Sequence, residues 1–233
     1  MKATAYGWLM LAAIFVSLVF WWRLARKDER LVLIYVAALA SAFIGAKLVY
    51  FGSEWWLHWH EADRWRQLAT GKSIVGGLLG GYGGVEIAKR LLGYKRATGD
   101  WFAIIVPAGI VLGRIGCLVN GCCLGKICEP GWYTLADVHG QSRWPAVPVE
   151  ILFNLGAIAF LFFLRQKEYL PGQHFHLYLM AYGIFRFGHE FLRDTPAVLG
   201  PFSGYQVGAL AIFMLGLLGF LKRRQHPPEL ALA

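Results

Sequence analysis

Seven apolar runs dominate the chain, at residues 5–22, 31–51, 73–92, 101–119, 146–164, 176–192 and 205–221, with polar or glycine-rich segments between them. A helix that crosses the hydrocarbon core needs about 20 mostly apolar residues, and each run meets or approaches that length. Hydrocarbon offers no partner to a stray backbone N–H or C=O, so such runs must satisfy their own hydrogen bonds as helices. The pattern predicts an all-α integral membrane protein with seven transmembrane helices, forming one domain over residues 1–224. The first run follows Lys2 as a signal peptide would. It lacks a small-residue cleavage site and leads straight into basic residues, so it reads as a retained span.

The polar breaks supply a direction. Basic residues cluster after the first, third, fifth and seventh runs, as Arg23/Arg26/Lys27/Arg30, Lys89/Arg90/Lys95/Arg96, Arg165/Lys167 and Lys222/Arg223/Arg224. Cytoplasmic ends carry such an excess, which places the N-terminus outside and the C-terminus in the cytoplasm. The longer connections then fall outside. Residues 52–72 carry Trp55, Trp56, His58, Trp59, His60 and Trp65 and read as an amphipathic arm lying at the interface. Residues 121–144 form a loop with three of the four cysteines, and residues 225–233 a short tail expected to be disordered.

Composition fits this reading: 57% of residues are hydrophobic and 16% charged, with ten Trp, ten Tyr and sixteen Phe to furnish aromatic belts. The net charge of +9 sits in the short clusters between runs. It reads as topology and anionic-lipid contact, because no basic surface interleaved with aromatics suggests nucleic acid.

A charge inside a membrane costs several kcal/mol, so the few that occur there face a cavity and act on a ligand. In this chain they are Lys47, Glu86, Arg114, Glu150, Arg186, Glu190 and Arg193, and all but Glu86 fall toward the outer ends of their spans. Tyr182, Arg186, His189, Glu190 and Arg193 follow Y-x-x-x-R-x-x-H-E-x-x-R. At about 100° per residue they occupy one helix face roughly 100° wide. Paired guanidiniums suit a phosphodiester, whose oxygens match the planar fork in two-point contact. Glu190, one turn beyond Arg186, is placed to orient it. The structural alternative is an ion-pair ladder between helices, with Arg193 snorkelling to the surface. Residues 113–125, G-R-I-G-C-L-V-N-G-C-C-L-G, set Arg114 one turn before Cys117. Residues 73–84 are rich in glycine, which suits close helix packing. They do not form a phosphate loop, for the Lys-Ser/Thr ending is missing.

Together these segments resemble the bacterial phosphatidylglycerol–prolipoprotein diacylglyceryl transferase family. Its pattern G-R-x-G-N-F-x-N-G-x-x-x-G is similar to residues 113–125, and its Y-G-x-x-R-x-x-x-E-x-x-R to residues 182–193. Weaker similarity occurs at Tyr6-Gly7, Gly76-Gly77-Leu78, Pro145 with Glu150, and Gln206. The resemblance implies a seven-span enzyme of the bacterial cytoplasmic (inner) membrane, its site facing the outer leaflet or periplasm. It would move diacylglycerol from phosphatidylglycerol, an anionic phospholipid, to the thiol of a prolipoprotein lipobox cysteine or a related acceptor. Glycerol phosphate would be released and a thioether left, with no cofactor. The implied catalytic residues are Arg114, Arg186, Glu190 and Tyr182, to which His189 is added from its place on the same helix face. Tyr6, Gly76, Gly77, Asn120, Gly121, Gly125, Glu150, Arg193 and Gln206 would bind substrate.

Two positions depart from the family. Val75 stands where the family has His before Gly-Gly-Leu, and Cys117 where it has Asn. The expectation is that His189, on the same face as Arg186, either takes over proton transfer or is an interfacial histidine that makes one hydrogen bond and nothing more. The rival expectation is a lipid-binding or accessory protein of the same fold that has lost catalysis. A small transporter fits less well, because no broken helix pairs recur in matching halves.

Cys117, Cys122, Cys123 and Cys128 lie together in sequence at the outer face, an oxidising setting in most bacteria. A disulfide pinning the loop, a reactive Cys117 acidified by Arg114, and inert packed thiols all stay open. A metal is not expected, because C-x4-C-C-x4-C lacks the usual paired-ligand spacing.

Overall fold

The computed structural model describes residues 7, 8, 11, 14, 15, 17–19, 21–23, 26 and 28–225. Its long helices are α1 (Arg30–Ser53), α3 (Ile74–Leu91), α4 (Gly99–Asn120), α5 (Ala146–Gln166), α6 (His174–His189) and α7 (Gly204–Gln225). A 3-10 turn, Trp55–His58, and a short helix α2 (Arg64–Thr70) form the arm between α1 and α3. The first apolar run is helical wherever it is described, and its Trp21 ring stacks on Tyr35 of α1 at 5.0 Å. Tyr6 and residues 226–233 lie outside the described residues.

Among the described residues, four helices are long and apolar enough to cross a membrane, namely α1, α4, α5 and α7. The chain is thus a helical membrane protein. Helix α3 is diluted by Glu86, Lys89 and Arg90 at its end. Helix α6 has 16 residues, and at 1.5 Å per residue these rise about 24 Å. The sequence predicted regular helix to residue 192. Instead α6 tightens into a 3-10 turn, Glu190–Leu192, and Arg193 leaves in extended conformation to pair its backbone with Gly125.

Helix pairs build the bundle. α3 lies antiparallel against α1, where the glycines allow contact between backbones. A Cβ on Gly76 would overlap the carbonyl oxygen of Gly45, and one on Gly80 that of Ser41. Such small-residue surfaces replace hydrophobic attraction, which is absent between helices in lipid. α4 pairs with α5 and α6 with α7, while α6 also meets α4 and α7 also meets α3 and α1. Leu33, Phe43, Leu48, Phe160, Phe163 and Leu218 face outward, whereas Arg114, Glu150, Asn154, Arg186 and Glu190 are buried. Polar groups thus sit inside beside an apolar core, while the outward surface is apolar, as a lipid-facing helix surface would be.

The loop after α4 contains a small antiparallel ribbon, β1 (Leu135–Ala136) with β2 (Ser142–Arg143). Asp137 nucleates its turn by accepting from the backbone N–H groups of His139 and Gln141, both at 2.9 Å. The Gln141 N–H foremost, helped by Arg143, holds the Asp137 carboxyl below its ordinary range. Arg143 also reaches Asp194 at 2.7 Å, which ties the ribbon to the segment after α6. Lys47 serves the arm, donating from Nζ to the carbonyls of Leu68, Ala69 and Gly71 at 2.5, 2.7 and 3.0 Å. An ammonium at a helix C-terminus satisfies carbonyls that the helix leaves open.

Candidate active site

The buried charges meet at the end of the bundle where α4 finishes and α5 begins. Arg114 Nη2 lies 2.8 Å from Glu150 Oε2, and the carboxylate is fully buried, at 0% exposure. Tyr182 of α6 donates its hydroxyl to Glu150 Oε1 at 2.7 Å. Arg186 Nη2 pairs with Glu190 Oε2 at 2.7 Å, one turn along. Arg193 joins the two pairs, with Nη1 3.8 Å from Glu150 Oε2 and Nε 3.7 Å from Glu190 Oε2. Thr195 and Ser203 donate their hydroxyls to Glu190 Oε1, at 2.8 and 3.2 Å. The guanidiniums of Arg114 and Arg186, from different helices, therefore belong to one network.

That network has capacity to spare. Three guanidiniums face two carboxylates, and each guanidinium is buried. Arg114 Nε, Arg186 Nε and Nη1, and Arg193 Nε and Nη1 find no hydrogen-bond acceptor among the described residues. A buried donor left unmatched is costly, more so when charged. Five such N–H-bearing atoms in one cluster form a receptor for an anion.

His189 occupies the same face. Its Nε2 accepts from the Trp144 indole N–H at 3.3 Å. Indole can only donate, so Nε2 carries the lone pair and the neutral ring holds its proton on Nδ1. That Nδ1 is buried and has no partner among the described residues. His189 therefore offers the site a donor, while its lone pair is occupied.

Other nominated residues have varied surroundings. Gly76 and Gly77 face α1. Asn120 is exposed on the last turn of α4, and Gly121 caps that helix with φ of +65°, a conformation only glycine adopts freely. Gly125 pairs through its backbone with Trp144. Gln206 forms a reciprocal cap with Ser203 at the start of α7: its N–H donates to Ser203 Oγ, while its Oε1 accepts from the Ser203 N–H at 2.8 Å. Its amide also donates to the Phe187 carbonyl. Val75 is buried against Gly208 of α7.

All four cysteines are free thiols in this structure. Cys117 accepts a long contact from Arg114 Nη1 at 4.0 Å, and the sulfurs of Cys117, Cys122 and Cys123 lie within 4.8 Å of one another. Sequence reasoning missed Trp144, Asn154, Tyr178, Thr195 and Ser203. Tyr178 donates to Asn154 Oδ1 at 2.8 Å, and Asn154 Nδ2 donates to the backbone carbonyl of Glu150 at 2.8 Å. An asparagine within the apolar run 146–164 was the available signal for that relay.

A family model described as prolipoprotein diacylglyceryl transferase matches residues 1–222. The chain belongs to this family. Among curated relatives named phosphatidylglycerol–prolipoprotein diacylglyceryl transferase, one from Dehalococcoides mccartyi is 28% identical over 240 residues, covering 96% of this chain and 90% of the relative. A second, named transferase 2, from Clostridium perfringens is 28% identical, covering 98% and 96%. One from Geobacter sulfurreducens is 33% identical over 156 residues, covering 63% of this chain and 59% of its own length. The diacylglyceryl transferase match spans the charged network from Arg114 to Gln206 without interruption.

Proposed function

We propose that this protein transfers diacylglycerol from phosphatidylglycerol to the thiol of a prolipoprotein cysteine. It works in a seven-span topology with the N-terminus outside, the C-terminus cytoplasmic and the site open to the outer leaflet. The observation that carries the reading is the buried network of Arg114, Arg186 and Arg193 against Glu150 and Glu190. Its charge excess of one matches a phosphodiester monoanion, and its unmatched N–H groups are the donors that such an anion needs. Family membership supports the same reaction, because the curated relatives carry that activity in their names.

The chemistry follows from charge. As the acceptor sulfur attacks the glyceryl carbon, the C–O bond breaks and the phosphate goes from one negative charge toward two. Preorganised donors stabilise the growing charge without reorganising at the moment of reaction. Arg114 and Arg186 are placed for this, held by Glu150 and Glu190. Tyr182 fixes Glu150, and His189 adds its Nδ1–H. An open, mainly apolar groove of about 540 Å³ runs between α1 and α7 past Val49, Trp56, Leu79 and Val207. It includes Gly204, next to the Ser203 that binds Glu190, while none of the five charged residues lines it.

The test uses purified protein in nanodiscs with headgroup-labelled phosphatidylglycerol and a lipobox peptide. Release of glycerol phosphate matched by diacylglyceryl mass on the peptide cysteine is expected. Lipid binding without turnover would instead make this an accessory lipid-binding protein.

A further inference from the structure

Three thiols converge at the end of α4, beside the charged network. Gly121 reverses the chain there, and the Cys122 N–H returns to the Cys117 carbonyl at 3.1 Å. Cys122 Sγ donates to the same carbonyl at 3.6 Å. The reversal carries Cys122 and Cys123 back over the helix end, so the four-residue gap that argued against a metal is closed in space. The three sulfurs lie within 4.8 Å of one another. Thiolates around a tetrahedral zinc, at about 2.3 Å from the ion, stand about 3.8 Å apart, so a contraction of about 1 Å at most completes the ring. Cys128 is not in the group; its N–H is bonded to the Ser142 carbonyl in the ribbon.

The site also needs something that His189, Glu150, Glu190 and Val75 do not supply. The acceptor thiol must become a thiolate before it attacks. His189 has its lone pair engaged by Trp144, and Glu150 and Glu190 are each committed to guanidiniums. Val75 is aliphatic. No free base faces the site among these residues.

We propose that Cys117, Cys122 and Cys123 hold a zinc ion whose fourth position takes the acceptor thiol. This rests on the transferase reading above. Zinc sites that act on a substrate keep one position open beside three protein ligands. A thiol entering such a position is deprotonated outright. Arg114 Nη1 lies 4.0 Å from Cys117 Sγ, and Arg193 approaches the same Glu150 carboxylate that Arg114 pairs with. The same cations balance the negative charge of a zinc bearing thiolates.

The step balances. The acceptor R–SH forms an S–Zn bond and its proton leaves to water. The bound sulfur then attacks the glyceryl carbon; the S–C bond forms as the C–O bond breaks, and that electron pair departs on the phosphate oxygen as glycerol phosphate dianion. Zinc stays on its three cysteines and undergoes no redox change.

The full-length protein, reduced and held in nanodiscs, is tested first for metal and then with cobalt(II) in place of zinc. Zinc near one equivalent per chain is expected, with thiolate-to-cobalt charge-transfer absorption. Cys117→Ser should lower metal affinity about tenfold or more, whereas Cys128→Ser should leave it unchanged. Addition of a lipobox peptide should shift the cobalt bands, and its Cys→Ser analogue should not. Absence of cobalt absorption in fully reduced wild type overturns the site, and bands unmoved by the cysteine peptide overturn the acceptor role. Shifted bands without glycerol phosphate release would uphold the metal site while the transferase reading falls.

Discussion

Arg114 on α4 and Glu150 on α5 form a 2.8 Å ion pair with both side chains buried. The pair locks two helices together and also aims a guanidinium whose Nε is left without an acceptor. Structure and chemistry are thus coupled in one contact. Removing one partner of a buried pair leaves an uncompensated charge, which costs about 3–5 kcal/mol. Glu150→Gln should therefore lower the thermal midpoint in nanodiscs as well as the turnover, and a scan of both variant and parent checks this.

His189 separates two roles that the sequence left joined. With its lone pair held by Trp144, it acts as a donor through Nδ1. His189→Asn places an amide N–H near the Nδ1 position and should retain most activity. His189→Ala should lose about ten- to a hundredfold, the worth of a hydrogen bond to a charged group. Equal losses in the two variants would indicate a base, and steady-state rates of glycerol phosphate release decide it.

The thiols should differ in their response to pH. Contacts from the neighbouring thiols and then from Arg114 and Arg193 depress Cys123, whereas the hydrogen bonds that Cys122 makes to Cys117 and Cys123, with burial, raise Cys122. Alkylation follows the thiolate fraction. In chelator-treated protein, Cys123 should react at a rate nearly independent of pH between about 6 and 8, below the ordinary thiol range near 8.5. Cys122 should stay unreacted throughout that window, and peptide mass mapping after timed alkylation reads both.

Close packing of α1 on α3 gives a stability prediction away from the charges. Gly76→Ala forces a methyl against the Gly45 carbonyl. Overpacking of this kind costs about 1–3 kcal/mol, so thermal stability should fall. A parallel loss of lipid binding larger than the loss of folded protein would show that Gly76 also meets substrate.

Much of the site was legible because membranes make charge conspicuous. Arg114, Glu150, Arg186, Glu190 and Arg193 stood out as ions in apolar runs, and helical periodicity put Arg186, His189 and Glu190 on one face with Tyr182. What periodicity could not reveal was where the helix would end. Arg193 is reached only after a 3-10 turn, and its bridging of Glu150 to Glu190 depends on a backbone pairing with Gly125, far away in sequence. The thiol cluster was hidden for a related reason. Counting residues between cysteines assumes an extended loop, but Gly121 turns the chain back on itself. Trp144 gave no signal in sequence, since its importance lies in which nitrogen of His189 it occupies.

The most direct test is single-turnover release of glycerol phosphate from phosphatidylglycerol in nanodiscs by wild type, Arg114→Gln and Arg186→Gln, each checked for retained fold. Both guanidiniums in one phosphate site predict a loss of about a hundredfold or more for each variant. Release at the wild-type rate by either folded variant would contradict the account.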